Sequence, residues 1–235
     1  MILTPRGRGL VQRAGSTELT APARLRHSLL RKTHRHLSQT CQIQKLFRMT
    51  ERSSVAMGQD VTAMKEALSK MYEDSKSGFP DVQAISCKEL RDLMSSSEPV
   101  VLVDVRSPDE QRVSRLPGHV VKKVDFEQQD PHAYSNSTIV TYCTVGVRSG
   151  RYAQELINQR KFAKVYNLKG SIVAWSQEGY PLVKGDGSQA LTTKVHTFGK
   201  EWDLVGDGYD SVMFGPVQGK VEIVRSVLPR VLGGR

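Results

Sequence analysis

Cysteine is scarce in this chain of 235 residues: there are three, Cys41, Cys87 and Cys143, with no Cys-x-x-Cys pair and no Cys/His cluster. That spacing excludes a disulfide framework and a structural zinc site, and no metal or other cofactor is expected. Long apolar runs are also missing, so no segment is expected to insert into a membrane. Acidic residues are nearly absent from positions 1–58, which hold 11 Lys and Arg against Glu18 and Glu51. Nine of the ten net positive charges therefore lie there, and the remainder of the chain is close to neutral. A basic face for nucleic acid is not expected on that remainder.

The acid-poor, Arg/Ser/Thr-rich segment 1–58 has the composition of an organelle transit peptide. Leu25, Leu29, Leu30 and Leu37 recur at near-helical spacing among Arg24, Arg26, Arg31, Lys32 and Arg35, which predicts an amphipathic basic helix. The expectation is import into a mitochondrion or plastid, with a disordered basic tail as the alternative. Translation from Met49 or Met57 would instead leave a cytoplasmic protein. Residues 59–80 are expected to form an amphipathic helix, with Val61, Met64, Leu68 and Met71 on one face, and a linker. Residues 81–185 form the main domain and 186–235 a C-terminal extension. In the extension Val195-His196-Thr197-Phe198 and Trp202 carry enough apolar surface to dock, and Val221 to Arg225 reads as a strand or helical turn.

The main domain alternates strands with helices. A short strand near Val82 to Ile85 leads to Ser86-x-x-Glu89, a capping box that opens a helix with Leu90, Leu93 and Met94 inward and Cys87 buried. Val100 to Val103 is apolar throughout, as in a central strand covered on both faces, and ends at Asp104-Val105-Arg106. Ser107-Pro108-Asp109-Glu110 is a second capping box with proline at the first helical position. A further strand is predicted over Val120 to Phe126, a polar loop over 127–137, a strand ending at Tyr142, a helix over 149–157, and a last strand over Lys164 to Leu168. The final helix enters at Gly170, buries Trp175 and stops at Gly179. This order predicts an α/β fold with a parallel sheet and helices on both faces. Such sheets bind ligands at the carboxyl ends of their strands, where Asp104, Arg106 and Cys143 fall.

Cys143 lies at a strand-to-helix turn, where backbone N–H groups can converge on one sulfur and favour its anion. Taken alone, a cysteine at a strand end is more often a small core residue. The loop Cys143-Thr144-Val145-Gly146-Val147-Arg148 adds a glycine able to take a left-handed conformation and an arginine to close the ring. His119 and His196 are read as ordinary residues.

The run V-V-L-V-D-V-R with S-P-D-E, then R-L-P-G, C-T-V-G-V-R and N-L-K-G-S-I-V-A-W with a trailing G-Y-P-L-V resembles the rhodanese-like sulfurtransferase family over about residues 82–184. The resemblance implies a five-stranded parallel sheet flanked by helices on both faces. It implies that Cys143 takes a sulfane sulfur from a small anionic donor, a persulfide or thiosulfate, and holds it as a persulfide. The acceptor would be cyanide or a thiol, either a small molecule or a thioredoxin-like protein. Thr144, Val145, Gly146, Val147 and Arg148 would line the active loop, with Asp104 and Arg106 bracing it. In the related cell-cycle phosphatases the loop is one residue longer, so its length here favours sulfur over phosphate. A catalytically silent binding or regulatory module is the alternative. The chain departs from the family at Arg115, where histidine is common, and at His119, where alanine is common. Its loop has a single cation, Arg148, which argues against thiosulfate as the physiological donor.

Overall fold

The structure is a computed structural model and describes residues 44, 45, 47, 59–159, 162 and 164–214, with the backbone alone at 59 and 60. Most of the expected presequence, with the alternative starts at Met49 and Met57 and Cys41, and the element at 221–225 lie outside the described residues. Within 1–58, however, Phe47 is buried with its ring 5.9 Å from Trp175 and 5.8 Å from Tyr180, so the expected 1–58 tail contributes to the domain core at that point.

Five parallel strands form the central sheet: β1 (Gln83–Ile85), β2 (Val100–Asp104), β3 (Val120–Lys122), β4 (Thr138–Tyr142) and β5 (Lys164–Leu168), in the order β1-β5-β4-β2-β3. Five of the helices around them are α1 (Gln59–Ser75), α2 (Cys87–Ser95), α3 (Pro108–Val113), α5 (Val147–Asn158) and α6 (Ser171–Gln177), with the short α4 (Lys123–Glu127) following β3. Parallel strands need crossovers, and these helices supply them, covering both faces of the sheet. The alternation along β2 and β4 shows how. Val101, Val103 and Ile139 face a core with Tyr152, Ala153 and Leu156 of α5, while Leu102, Val140 and Tyr142 face one with Leu90 of α2 and Ile172 and Trp175 of α6.

Local chemistry accounts for the helix starts. The Ser86 and Ser107 boxes are both complete: each serine oxygen accepts an N–H three residues on, and Glu89 and Glu110 reach back to the serine N–H. Each satisfies two of the donors a helix start leaves free. Cys87 is buried among apolar atoms, which push its thiol far above the usual range. Trp175 is fully buried, with its ring nitrogen donating to the Pro181 carbonyl at 3.0 Å.

Three readings need correction. The strand predicted over Val120 to Phe126 stops at Lys122, and the chain turns into α4 at Lys123: Val120, Val121 and Phe126 find apolar cover, while Val124 between them stays exposed. The 127–137 loop holds a 3-10 turn, Pro131–Tyr134, whose Tyr134 ring stacks on Phe126 at 5.0 Å. Lys164–Leu168 is also not the last strand. Beyond α6, β6 (Leu182–Val183) pairs antiparallel with β7 (Leu191–Thr192), and β8 (Lys194–His196) pairs parallel with β9 (Asp210–Val212).

The extension is closely joined to the domain. A Cβ on Gly206 would lie 2.2 Å from the Ser176 carbonyl oxygen, so backbone meets backbone there. Nearby, Gly206 N–H donates to Ser176 Oγ at 3.1 Å and Gln177 donates to the Leu204 carbonyl at 2.7 Å. Val195, His196 and Thr197 are buried as a result.

Candidate active site

The loop from Cys143 to Arg148 runs from the carboxyl end of β4 into α5 and is shaped by three neighbouring elements. Gly146 takes φ +100° as the residue before α5. A side chain there would be strained, and its Cβ would stand 2.9 Å from the Tyr72 ring. The start of α6 holds the loop from behind: Ile172 N–H donates to the Cys143 carbonyl at 3.3 Å and Val173 N–H to that of Thr144 at 3.1 Å. These are N–H groups that a helix start would otherwise leave unpaired. With the Cys143 and Thr144 carbonyls turned to α6, Gly146 N–H donates to Cys143 Sγ at 3.2 Å.

Ser149 completes the surroundings of the sulfur. Its hydroxyl lies 3.5 Å from Cys143 Sγ and 2.7 Å from Asn167 Oδ1. With one proton to give, it serves Asn167 beside a thiol and can turn to serve a thiolate. Asn167 in turn donates to the Gly146 carbonyl at 2.8 Å and to the Tyr72 hydroxyl at 3.2 Å, which ties β5 and α1 to the loop. Burial pushes the Cys143 thiol up. The Arg148 guanidinium, the Ser149 hydroxyl and N–H, and the Gly146 N–H together outweigh it and hold the thiol below its ordinary range. A buried cysteine that nonetheless ionises more readily than a free one differs in kind from Cys87.

Arg148 does close the loop, and it is already engaged. Glu110 accepts from both guanidinium nitrogens, at 3.0 Å from Nη1 and 2.7 Å from Nη2. Thr144 Oγ1 donates to Glu110 at 3.1 Å and accepts from Arg148 Nη2 at 3.2 Å. Burial raises the Glu110 carboxyl, but the neighbouring His196 and Arg148 outweigh it and hold the group far below the usual carboxylate range. His196 Nδ1 stands 3.6 Å from Glu110, beyond hydrogen-bond reach. The Phe198 ring lies against the guanidinium at 4.7 Å.

Asp104 and Arg106 do not join this group; they form a buried pair beside it. Arg106 Nη2 donates to Asp104 at 2.7 Å and to the Ser114 carbonyl at 2.6 Å, and the Tyr142 hydroxyl donates to Asp104 at 2.7 Å. The pair joins the end of β2, the residue before Cys143, and the chain leaving α3. Val145 and Val147 turn into the hydrophobic interior. Among the described residues, no cluster of His, Cys, Asp or Glu could hold a metal ion, and no helix is long and apolar enough to cross a membrane.

Tyr72, Ser149, Asn167 and Phe198 at the site were not recognised from sequence, and neither were Glu110 and His196. Glu110 is identified there as the far end of a capping box, and its second role depends on a fold that brings α3 to the Cys143 loop. His196, read as ordinary, is instead buried beside Glu110, because β8 packs on α3.

The model of the rhodanese-like domain matches residues 86–178. A sulfurtransferase of Allochromatium vinosum is 30% identical over 112 residues, spanning 45% of this chain and 99% of that protein. The chain belongs to the rhodanese-like family. A thiosulfate:glutathione sulfurtransferase of Saccharomyces cerevisiae is 25% identical over 122 residues, 46% of this chain and 87% of that one. A tRNA uridine(34) hydroxylase of Acinetobacter baylyi is 30% identical over 98 residues, 39% of this chain and 31% of that one. The chain thus spans about a quarter to a third of the longer relatives it matches. The rhodanese-like stretch contains Asp104, Glu110, Cys143, Arg148 and Asn167; Tyr72, His196 and Phe198 reach the site from outside it.

Proposed function

We propose that the protein is a sulfurtransferase that carries sulfane sulfur as a persulfide on Cys143. The observation that carries this reading is the setting of one atom: a buried Cys143 Sγ receiving the Gly146 N–H at 3.2 Å, with the Ser149 hydroxyl at 3.5 Å, in a six-residue loop closed by Arg148. Donors aimed at a sulfur anion stabilise both the thiolate and the persulfide that replaces it.

The transfer has two steps. The Cys143 thiolate attacks the outer sulfur of the donor; its electron pair makes the new S–S bond, and the pair of the old bond leaves on the donor's inner sulfur, as a thiolate or as sulfite. An acceptor thiolate then attacks the outer sulfur of the persulfide and carries it away, returning Cys143 as thiolate. No electrons are gained or lost overall, and because the first step starts from the thiolate no proton moves in it. A small thiol or a thioredoxin-like protein fits as acceptor. A catalytically silent module would have no use for a buried cysteine held toward its anion.

Steady-state transfer from glutathione persulfide or thiosulfate to a thiol acceptor tests the reading. Wild-type turnover that disappears in Cys143→Ser supports it; equal turnover in the two proteins contradicts it. The acid-poor residues 1–58 fit import into a mitochondrion or plastid, which sequencing the mature N-terminus tests.

A further inference from the structure

The Arg148 fork, the natural holder of an anionic donor, is occupied from within. It is the single cation between Cys143 and Arg148. Glu110 takes both of its terminal nitrogens, at 3.0 and 2.7 Å, and Phe198 lies against the guanidinium at 4.7 Å. Glu110 is itself fixed from the other side, accepting the Ser107 N–H at 2.9 Å and the Thr144 hydroxyl at 3.1 Å, with its side chain only 1% exposed. Pulling Arg148 away would leave a buried carboxylate uncompensated. With the thiolate formed, the Arg148 guanidinium serves two anions, Glu110 and Cys143.

We propose that Glu110 sets the charge of the sulfur donor: by holding Arg148 it admits neutral and singly charged sulfane-sulfur compounds, such as persulfides and thiosulfonates, and discriminates against dianions such as thiosulfate. The proposal rests on the reading of Cys143 as persulfide carrier and names Glu110 as a positioning residue acting through Arg148. A dianion would need a second positive charge or a free guanidinium fork, and Glu110 removes the latter. In each case the chemistry balances alike: thiosulfate leaves sulfite, methanethiosulfonate leaves methanesulfinate, and both leave one sulfur on Cys143.

Methanethiosulfonate differs from thiosulfate by a methyl group in place of one charged oxygen, so the pair isolates charge from size. The experiment compares kcat/KM for these two donors in the wild type, in Glu110→Gln and in Phe198→Lys. The last adds a cation beside Arg148 while leaving the Glu110 and Arg148 side chains themselves in place. The expected result is a thiosulfate-to-methanethiosulfonate ratio raised about tenfold in Glu110→Gln, as removal of one nearby unit charge implies, and raised in the same direction in Phe198→Lys. A ratio unchanged in folded Glu110→Gln overturns the proposal; should that variant fail to fold, Phe198→Lys decides in the same sense. Sulfur loading with an unchanged ratio removes Glu110's role alone, whereas no loading of wild-type Cys143 by either donor removes the sulfur-transfer reading with it.

Discussion

Cys143 ionises readily in spite of being buried, because a backbone donor, a hydroxyl and a guanidinium act together on one sulfur. Since the folded site holds the thiol below its ordinary range, the thiolate forms at lower pH than in an unperturbed cysteine. The rate of alkylation by iodoacetamide should therefore rise with pH to a plateau, with a midpoint below that of free cysteine. Ser149→Ala removes the hydroxyl 3.5 Å from the sulfur and should move that midpoint upward. A midpoint that stays in place would mean the hydroxyl serves only Asn167. The Cys87 thiol, pushed in the opposite direction by burial, should remain unreactive over the same range.

The loop owes its shape to the elements that border it. The start of α6 holds its carbonyls, β5 supplies Asn167, and the Tyr72 ring of α1 closes over Gly146. Gly146→Ala places a Cβ 2.9 Å from that ring at φ +100°, and should cost about 1–3 kcal/mol in urea unfolding. Because the Gly146 N–H would move with the loop, the alkylation midpoint of Cys143 should rise as well. A variant as stable and as reactive as the wild type would show that the left-handed turn is dispensable. Much of this arrangement was readable beforehand: the apolar run of β2, both capping boxes, and the step from β4 through Gly146 into α5 are local patterns. What escaped depends on distance in sequence. Glu110 and Arg148 are 38 residues apart, and Tyr72 and Asn167 are 95 apart. No local periodicity reports such pairs, and a residue already explained by a cap gives no sign of a second partner. The misread strand after Val120 failed for a related reason, since Val-rich composition favours a strand only where both faces find cover.

The described chain from α1 to β9 behaves as one body built around the rhodanese-like stretch, with α1 and the β8–β9 pair each adding residues to the site. The backbone contact of Gly206 with Ser176 is a sensitive point in that assembly. Gly206→Ala should force the extension off α6, lower stability by about 2 kcal/mol or more, and increase hydrogen exchange at Val195 and Thr197. Unchanged protection would mean that the extension is held elsewhere. The central claim, that this molecule carries sulfur on Cys143, is tested most directly by intact mass spectrometry with peptide mapping after exposure to glutathione persulfide. The account predicts a gain of one sulfur atom on the peptide containing Cys143, removed by a thiol acceptor and absent in Cys143→Ser. An unmodified Cys143 peptide, or an equal gain in Cys143→Ser, would contradict it.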